Sequence, residues 1–408
     1  MWQPFVNELR IYYCHYGWKA IFDLIVTPQT CIKVTTEIYI LNLNQFFMQK
    51  ITCNNSSWFL KMQYLLILAL LITIQACKKN DHPLKDFQQV NLVANTTGYG
   101  AANIDSSLIN AWGIAFGPSG IAWVNSNGTG LSELYNKTGA SVRPGVTIPA
   151  PESNTGGTPT GIVFNGTTDF LLANGKPALF IFVGEDGIIS GWNGGNSAAI
   201  VKNDFPNAIY KGVALANDGG ANFLYTANFK ERKIDVYDKN WNEVTKPFTD
   251  PNLPADYSPF NIQTIDNKLY VMYAKKMGDA TDETTGPGNG YVDVYNPDGT
   301  LIMKFASRGA LNAPWGITKA PAIFFDQENK MDGDAILVGN FGDGRINAYA
   351  ANGKFLGALR SHGAPIVIPG LWGISFAPAT ATTVDSGWLF FAAGPNKEAD
   401  GLFGYIEK

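Results

Sequence analysis

A four-step unit repeated six times constrains this chain more than any other feature. It is clearest between Ala313 and Leu359. There Ala313-Pro-Trp-Gly-Ile317, Ala335 to Phe341, Arg345 to Tyr349 and Lys354 to Leu359 are short β-prone runs separated by Gly, Asn and Asp turns. Four such runs in series read as an antiparallel meander, which needs neighbours of its own kind to bury both faces. The opening run recurs at Ala111-Trp-Gly-Ile114, Thr160-Gly-Ile-Val163, Lys211-Gly-Val-Ala214, Pro259-Phe-Asn-Ile262 and Leu371-Trp-Gly-Ile374. The third run recurs in step, at Leu131 to Tyr135, Ile188 to Trp192, Lys233 to Tyr237, Tyr291 to Tyr295 and Leu402 to Ile406. Repeats of roughly 50 residues without helical periodicity read as blades. Six copies predict an all-β, six-bladed β-propeller over residues 87–408.

The ends of that region predict how the ring closes. The sixth copy stops at Lys408, one strand short, while Phe87 to Ala94 alternates like a strand ahead of the first copy. The N-terminal strand is therefore expected to complete the last blade as its outer strand, with Val90 and Leu92 on one face, removing two exposed edges. Composition agrees with such a fold: 43 glycines and only 16% charged residues suit a turn-rich β globule. Beyond residue 76 there are 25 basic against 31 acidic side chains, which argues against a nucleic-acid partner.

The first 76 residues carry no blade pattern. Lys61 precedes the apolar run Tyr64 to Ile74, and Gln75-Ala-Cys77 follows. An apolar core of that length reads as a signal peptide rather than a spanning helix. Ile74-Gln-Ala-Cys77 resembles a bacterial lipobox, apart from Gln75 where a small residue is usual. Cys77 is then the lipidation site, 48–76 the signal peptide from a start at Met48, 77–86 the lipidated Cys and a polar tether, and 1–47 a start-site artefact or unstructured. The competing reading is a small N-terminal domain with a membrane anchor. Cys14, Cys31, Cys53 and Cys77 are the four cysteines, so the propeller itself has none and must close without disulfides. These features together predict an extracytoplasmic outer-membrane lipoprotein of the cell envelope, held to the membrane by an N-terminal lipid and monomeric.

Several longer runs carry a resemblance. Thr249-Asp-Pro-Asn-Leu-Pro-Ala255, Gly286-Pro-Gly-Asn-Gly-Tyr-Val-Asp-Val-Tyr295, Leu337 to Asn347 and Ala393 to Phe403 resemble a family of uncharacterised, secreted bacterial six-bladed propellers, some with a PEP-CTERM-type anchor. More distantly the blades resemble NHL-type propellers. The likeness spans about residues 87–406 and implies fold and export. It implies no reaction.

Strand geometry predicts which loops meet. Loops leading into each inner strand and loops joining second to third strands share one end of the ring, around the channel mouth. That end gathers Asn125, Glu185, Asn228, Tyr273, Lys275, Asn340, Asp343, Asn396, Glu398 and Asp400. Glu185, Asn228, Asn340 and Asp343 are oxygen donors from three blades and candidate ligands for Ca2+ or Mg2+; as plain turn residues they fit equally. The loop from Lys275 to Asn289 is the longest there and a candidate lid. Beyond the signal region the histidines are His82 and His362, which excludes a zinc site built on several His. His362 is the one candidate general base, with no Gly-x-Ser-x-Gly elbow to serve. The Trp residues opening blades one, five and six read as packing. Two functional readings follow: a lipid-anchored scaffold that binds a small molecule, glycan or protein at the mouth, or a metal-assisted hydrolase, lactonase or lyase on the same face.

Overall fold

The computed structural model describes residues 84–325 and 334–408. Cys77, His82, Asp332 and the segments 1–47 and 48–76 lie outside the described residues. In the described chain, six four-stranded meanders are arranged as a β-propeller, as the repeat predicts. Blade one is Ala111–Phe116, Ala122–Ser126, Leu131–Tyr135 and Ser141–Thr147. Blades two to five open with the inner strands Pro159–Phe164, Tyr210–Asp218, Tyr257–Ile265 and Pro314–Ala320. Blade six is Leu371–Phe376, Leu389–Ala393, Leu402–Glu407 and the N-terminal strand Gln88–Ala94.

That N-terminal strand closes the ring. It pairs antiparallel with Leu402–Glu407, from Gln88 opposite Glu407 to Ala94 opposite Leu402. The expected alternation is interrupted by a bulge between Asn91 and Val93, so Leu92 and Val93 are both buried and Val90 packs on the same cluster. Asn103–Ile104 adds a short parallel strand outside it. Packing also reaches into the segment read as tether. Leu84 is buried, its carbonyl accepts from the Arg360 N–H, and Phe87 stacks on Phe324 at 4.8 Å.

The Gly of the repeated opening run has a steric cause. A Cβ on Gly113 would lie 2.3 Å from the Thr160 carbonyl oxygen of blade two, and one on Gly373 would lie 2.6 Å from the Trp112 carbonyl of blade one. At these positions the inner strands of neighbouring blades approach so closely at the axis that a Cβ would strike the next backbone. Blade four has Asn261 at this position instead; its amide donates to the Trp315 carbonyl at 2.7 Å and fills the gap with a hydrogen bond. Each inner strand also shifts register at this point. The bulge turns the preceding residue toward the axis and so builds the floor of the mouth.

Candidate functional site

The residue just before that Gly or Asn is Trp112, Thr160, Lys211, Phe260, Trp315 and Trp372 in blades one to six. The aromatic members meet each other across the axis. Trp112 and Trp372 stack at 3.7 Å, Phe341 stacks on Trp372 at 3.9 Å, and Trp315 stands edge-on to both Trp rings. Together with Phe229 and Phe260 they form one buried cluster. These Trp residues are packing residues, as the sequence suggests, but they pack on one another and close the channel. A small cavity remains beneath, lined by the axial glycines, Ile114, Ile162, Ile374 and Trp315.

Lys211 is the exception in this ring. It is 1% exposed, with its ammonium over Trp112 at 5.3 Å and over Phe229 at 5.7 Å. The ammonium donates to Glu185 Oε1 at 2.6 Å and to Asp282 Oδ1 at 3.0 Å. Glu185 accepts a second bond from the Asn127 amide at 2.9 Å. Asn110 donates to Glu398 at 2.9 Å while its Oδ1 accepts from the Trp372 indole. Loops of blades one, two, three, four and six thus converge on one ammonium. Glu185 and Glu398 come from the set of mouth residues expected from sequence. Asp282 and Glu283 lie in the loop expected there as a candidate lid. Lys211 was not in that set, although a lysine at a ring position otherwise held by Trp, Phe or Thr was a legible signal.

The charges are unbalanced. Burial works to lower the Lys211 pKa, but Glu185, Glu283 and Asp282 outweigh it and hold the pKa above the ordinary lysine value. Burial would raise Asp282, yet the attraction and hydrogen bond of Lys211 bring it below the ordinary aspartate value. Glu283 is pushed up to about 7, chiefly by burial and further by Asp282 and Glu398, against the pull of Lys211. Burial likewise raises Glu398, with Glu185 and Asp282 adding to it. Four carboxyls around one ammonium, two of them raised, make this a place where protons and charged ligands are felt.

The other expected residues have different partners. Asn228 donates to Asp235 at 2.8 Å and Glu231 at 3.1 Å, within its own blade. Asn340 donates to Asp343 at 3.0 Å, and Asp343 also accepts from the Arg345 N–H, which is the geometry of a turn. Glu185 sits on Lys211 instead, so the proposed oxygen ligands for Ca2+ or Mg2+ are divided among separate hydrogen-bond groups. Among the described residues no group of three or more His, Cys, Asp or Glu is placed to hold a metal ion.

Asn125 is fully buried and bonds the Thr160 and Gly161 carbonyls, tying blade one to blade two. Tyr273 is buried against the Tyr295 hydroxyl at 2.9 Å, and Lys275 lies 3.5 Å from Asp256. Asp400 accepts from Asn95 at 3.0 Å and from the Tyr99 hydroxyl at 2.7 Å, so it fastens the N-terminal segment. Asn396 adopts a left-handed conformation in the same turn, and its hydrogen bond helps hold Asp400 below its usual pKa, behind those of Tyr99 and Asn95. His362 is exposed at the tip of the hairpin Arg360–Ser361 and Ala364–Pro365, its Nδ1 3.0 Å from the Ser361 hydroxyl. That hairpin bonds Leu84 and Phe87, not the loops around Lys211.

No family model matches the chain. Among solved structures it is similar to virginiamycin B lyase from Staphylococcus aureus, with 14% identity and a TM-score of 0.45 over 79% of this chain and 99% of that one. It is also similar to a protein of unknown function from Bacteroides thetaiotaomicron, with 11% identity and a TM-score of 0.48 over 79% and 77%. These are likenesses of fold, and no residue role passes from them. Sequence relatives are nearer. One uncharacterised protein of Acanthamoeba polyphaga mimivirus is 36% identical over 334 residues, covering 78% of this chain and 79% of its own. A second from the same virus is 34% identical over 339 residues, covering 78% and 86%. The relatives found are viral, whereas the sequence runs resembled a bacterial secreted family. At this identity over more than three-quarters of each chain, the protein belongs to the same family as these two uncharacterised mimivirus proteins.

Proposed function

We propose that the protein is a binding propeller whose ligand docks at the channel mouth, above Lys211. The observation that carries this reading is the convergence of five blades on one buried ammonium, over an aromatic floor and among unequal carboxyls. Rigid blades hold these loops in place, and loops so held commonly carry binding. Carboxylates, amides and an ammonium within one small area suit a polar small molecule or short glycan. The division of the oxygen donors among separate groups favours a binding scaffold over a metal-assisted hydrolase, lactonase or lyase. A thermal-shift screen of sugars, amino acids and lactones tests it on the chain from Leu84 onward. A hit is expected to raise the Tm of the parent and of His362→Ala equally, and to lose its effect in Glu398→Gln. A hit that Glu398→Gln binds like the parent, with Asn110→Ala also unaffected, contradicts the mouth reading.

We further propose that the chain is exported and held at the cell envelope by lipid on Cys77. The apolar run before Cys77 motivates this. Expressed with its N-terminal region in a bacterial host, the parent is expected to partition into detergent, while Cys77→Ala stays unprocessed or aqueous. Identical partition of the two, with no lipid on the parent, would contradict it.

A further inference from the structure

The segment between Lys268–Lys275 and Tyr291–Tyr295 crosses the mouth and covers Lys211. Its two ends are well fastened. At one end the Lys276 N–H donates to the Asp256 carbonyl at 2.7 Å, its ammonium donates to the Lys230 carbonyl at 2.6 Å, and Arg232 donates to the Gly278 carbonyl at 2.9 Å. At the other, Thr284 N–H donates to the Lys275 carbonyl at 2.8 Å and Gly286 N–H to Asn312 Oδ1 at 2.7 Å. Between Gly278 and Thr284, the bond to another element among the described residues is the Asp282 carboxylate on Lys211. Asp282 is 71% exposed and Lys211 1%, so an outward-facing residue caps a buried one. Glu283 beside it is partly buried, its carboxyl held by its own backbone N–H, and it feels the charges of Lys211, Asp282 and Glu398.

We propose that residues 279–283 are a strap latched over the mouth by the Asp282–Lys211 ion pair, and that its release opens the way to Lys211. This rests on the mouth being the binding site and concerns how that site is gated. Closure brings two strap carboxyls up to Glu185 and Glu398, with Lys211 as the ammonium they share. The arrangement tolerates closure while Glu283 keeps its proton. Once it ionises, like charges face one another across the strap and the open form gains. The sign is fixed by the direction of the shift: a carboxyl raised in the closed state favours closure at low pH and loses that contribution as pH rises through about 7.

The test needs no ligand. Acetylation of the neutral Lys211 amine by a water-soluble active ester, read by mass spectrometry over a series of pH values so that a change in its ionisation is separated from a change in access, reports exposure of the side chain. Hydrogen exchange of the strap amides, corrected for intrinsic rates, reports opening. Asp282→Asn is expected to raise both by roughly twofold to fivefold, the size of an ion pair screened by solvent on its exposed side, while Asp279→Asn on the same strap leaves both at the parent value. In the parent, strap protection is expected to fall between about pH 4.5 and pH 7 and to level off above that, and in Glu283→Gln to stay level across the same range. Parent-like labelling and exchange in a folded Asp282→Asn, or an unchanged pH profile in Glu283→Gln, would overturn the latch. Latch results as expected, with screened ligands indifferent to Glu398 and Asn110, would uphold the strap and remove the binding reading alone.

Discussion

A chain that begins at Asn95 is expected to lose cooperative unfolding, while one that begins at Leu84 keeps the full transition. The strand Gln88–Ala94 is the fourth strand of blade six, paired along Leu402–Glu407. Removing it uncovers Phe403 and Tyr405 on one side and Phe391 and Ile406 on the other, all now buried. It also removes Leu92, Val93 and the Phe87–Phe324 stack. With about 1.5–3 kcal/mol for each large apolar side chain buried, the loss is on the order of 5 kcal/mol or more, comparable to the whole stability of many domains. Loss of the strand also leaves the edge of Leu402–Glu407 open for pairing between molecules. Thermal unfolding followed by near-ultraviolet circular dichroism, with light scattering alongside, checks it. Equal transitions for the two chains would show that the N-terminal strand is not the clasp.

Lys211→Met is expected to destabilise the propeller by about 2–3 kcal/mol at pH 8 and by much less at pH 5. Met fills the space over Trp112 and Phe229 without the ammonium, so the loss is electrostatic rather than steric. Removing one partner of a buried ion pair leaves the other unmatched; the exposure of Asp282, at 71%, reduces the effect because solvent screens that carboxylate. The pH dependence follows from the neighbours. Glu283, raised to about 7, contributes stability that is present below the ordinary glutamate value and lost as pH rises through its folded value. Asp282, lowered by Lys211, contributes stability above the ordinary aspartate value that is lost on acidification. Without the ammonium, Asp282 loses that depression and Glu283 and Glu398 are raised further. The variant is therefore penalised wherever all four carboxyls ionise. Denaturant unfolding at both pH values checks the difference, and a pH-independent loss would show that Lys211 acts by packing.

Much of this fold is legible in the sequence because its constraints are local and repeated. The opening run with its Gly and Ile or Val marks each inner strand, since the neighbouring backbone occupies the place of a Cβ at Gly113, Gly161, Gly316 and Gly373. The missing last strand and the spare first one show how the ring closes. The bulge at Asn91–Val93 was not legible, because alternation alone does not reveal where one residue is inserted. The site was legible only by region. Which loops share an end follows from strand direction, and Glu185 and Glu398 are there. Which side chains turn inward depends on packing across blades, so Asn228, Asn340 and Asp343 proved to be turn partners while Asp282 reaches across to blade three. Lys211 hid inside a strand motif, where its neighbours in register are Trp, Phe and Thr.

The most direct test of the mouth as the functional site is hydrogen exchange over the whole chain, with and without a ligand found by the thermal-shift screen. New protection is expected in the loops around Asn110, Asn127, Glu185 and Glu398 and in the strap at 279–283. Protection instead at the opposite end of the ring, in the turns Asn136 to Gly139, Asn296 to Gly299 and Ala350 to Gly353, would contradict it.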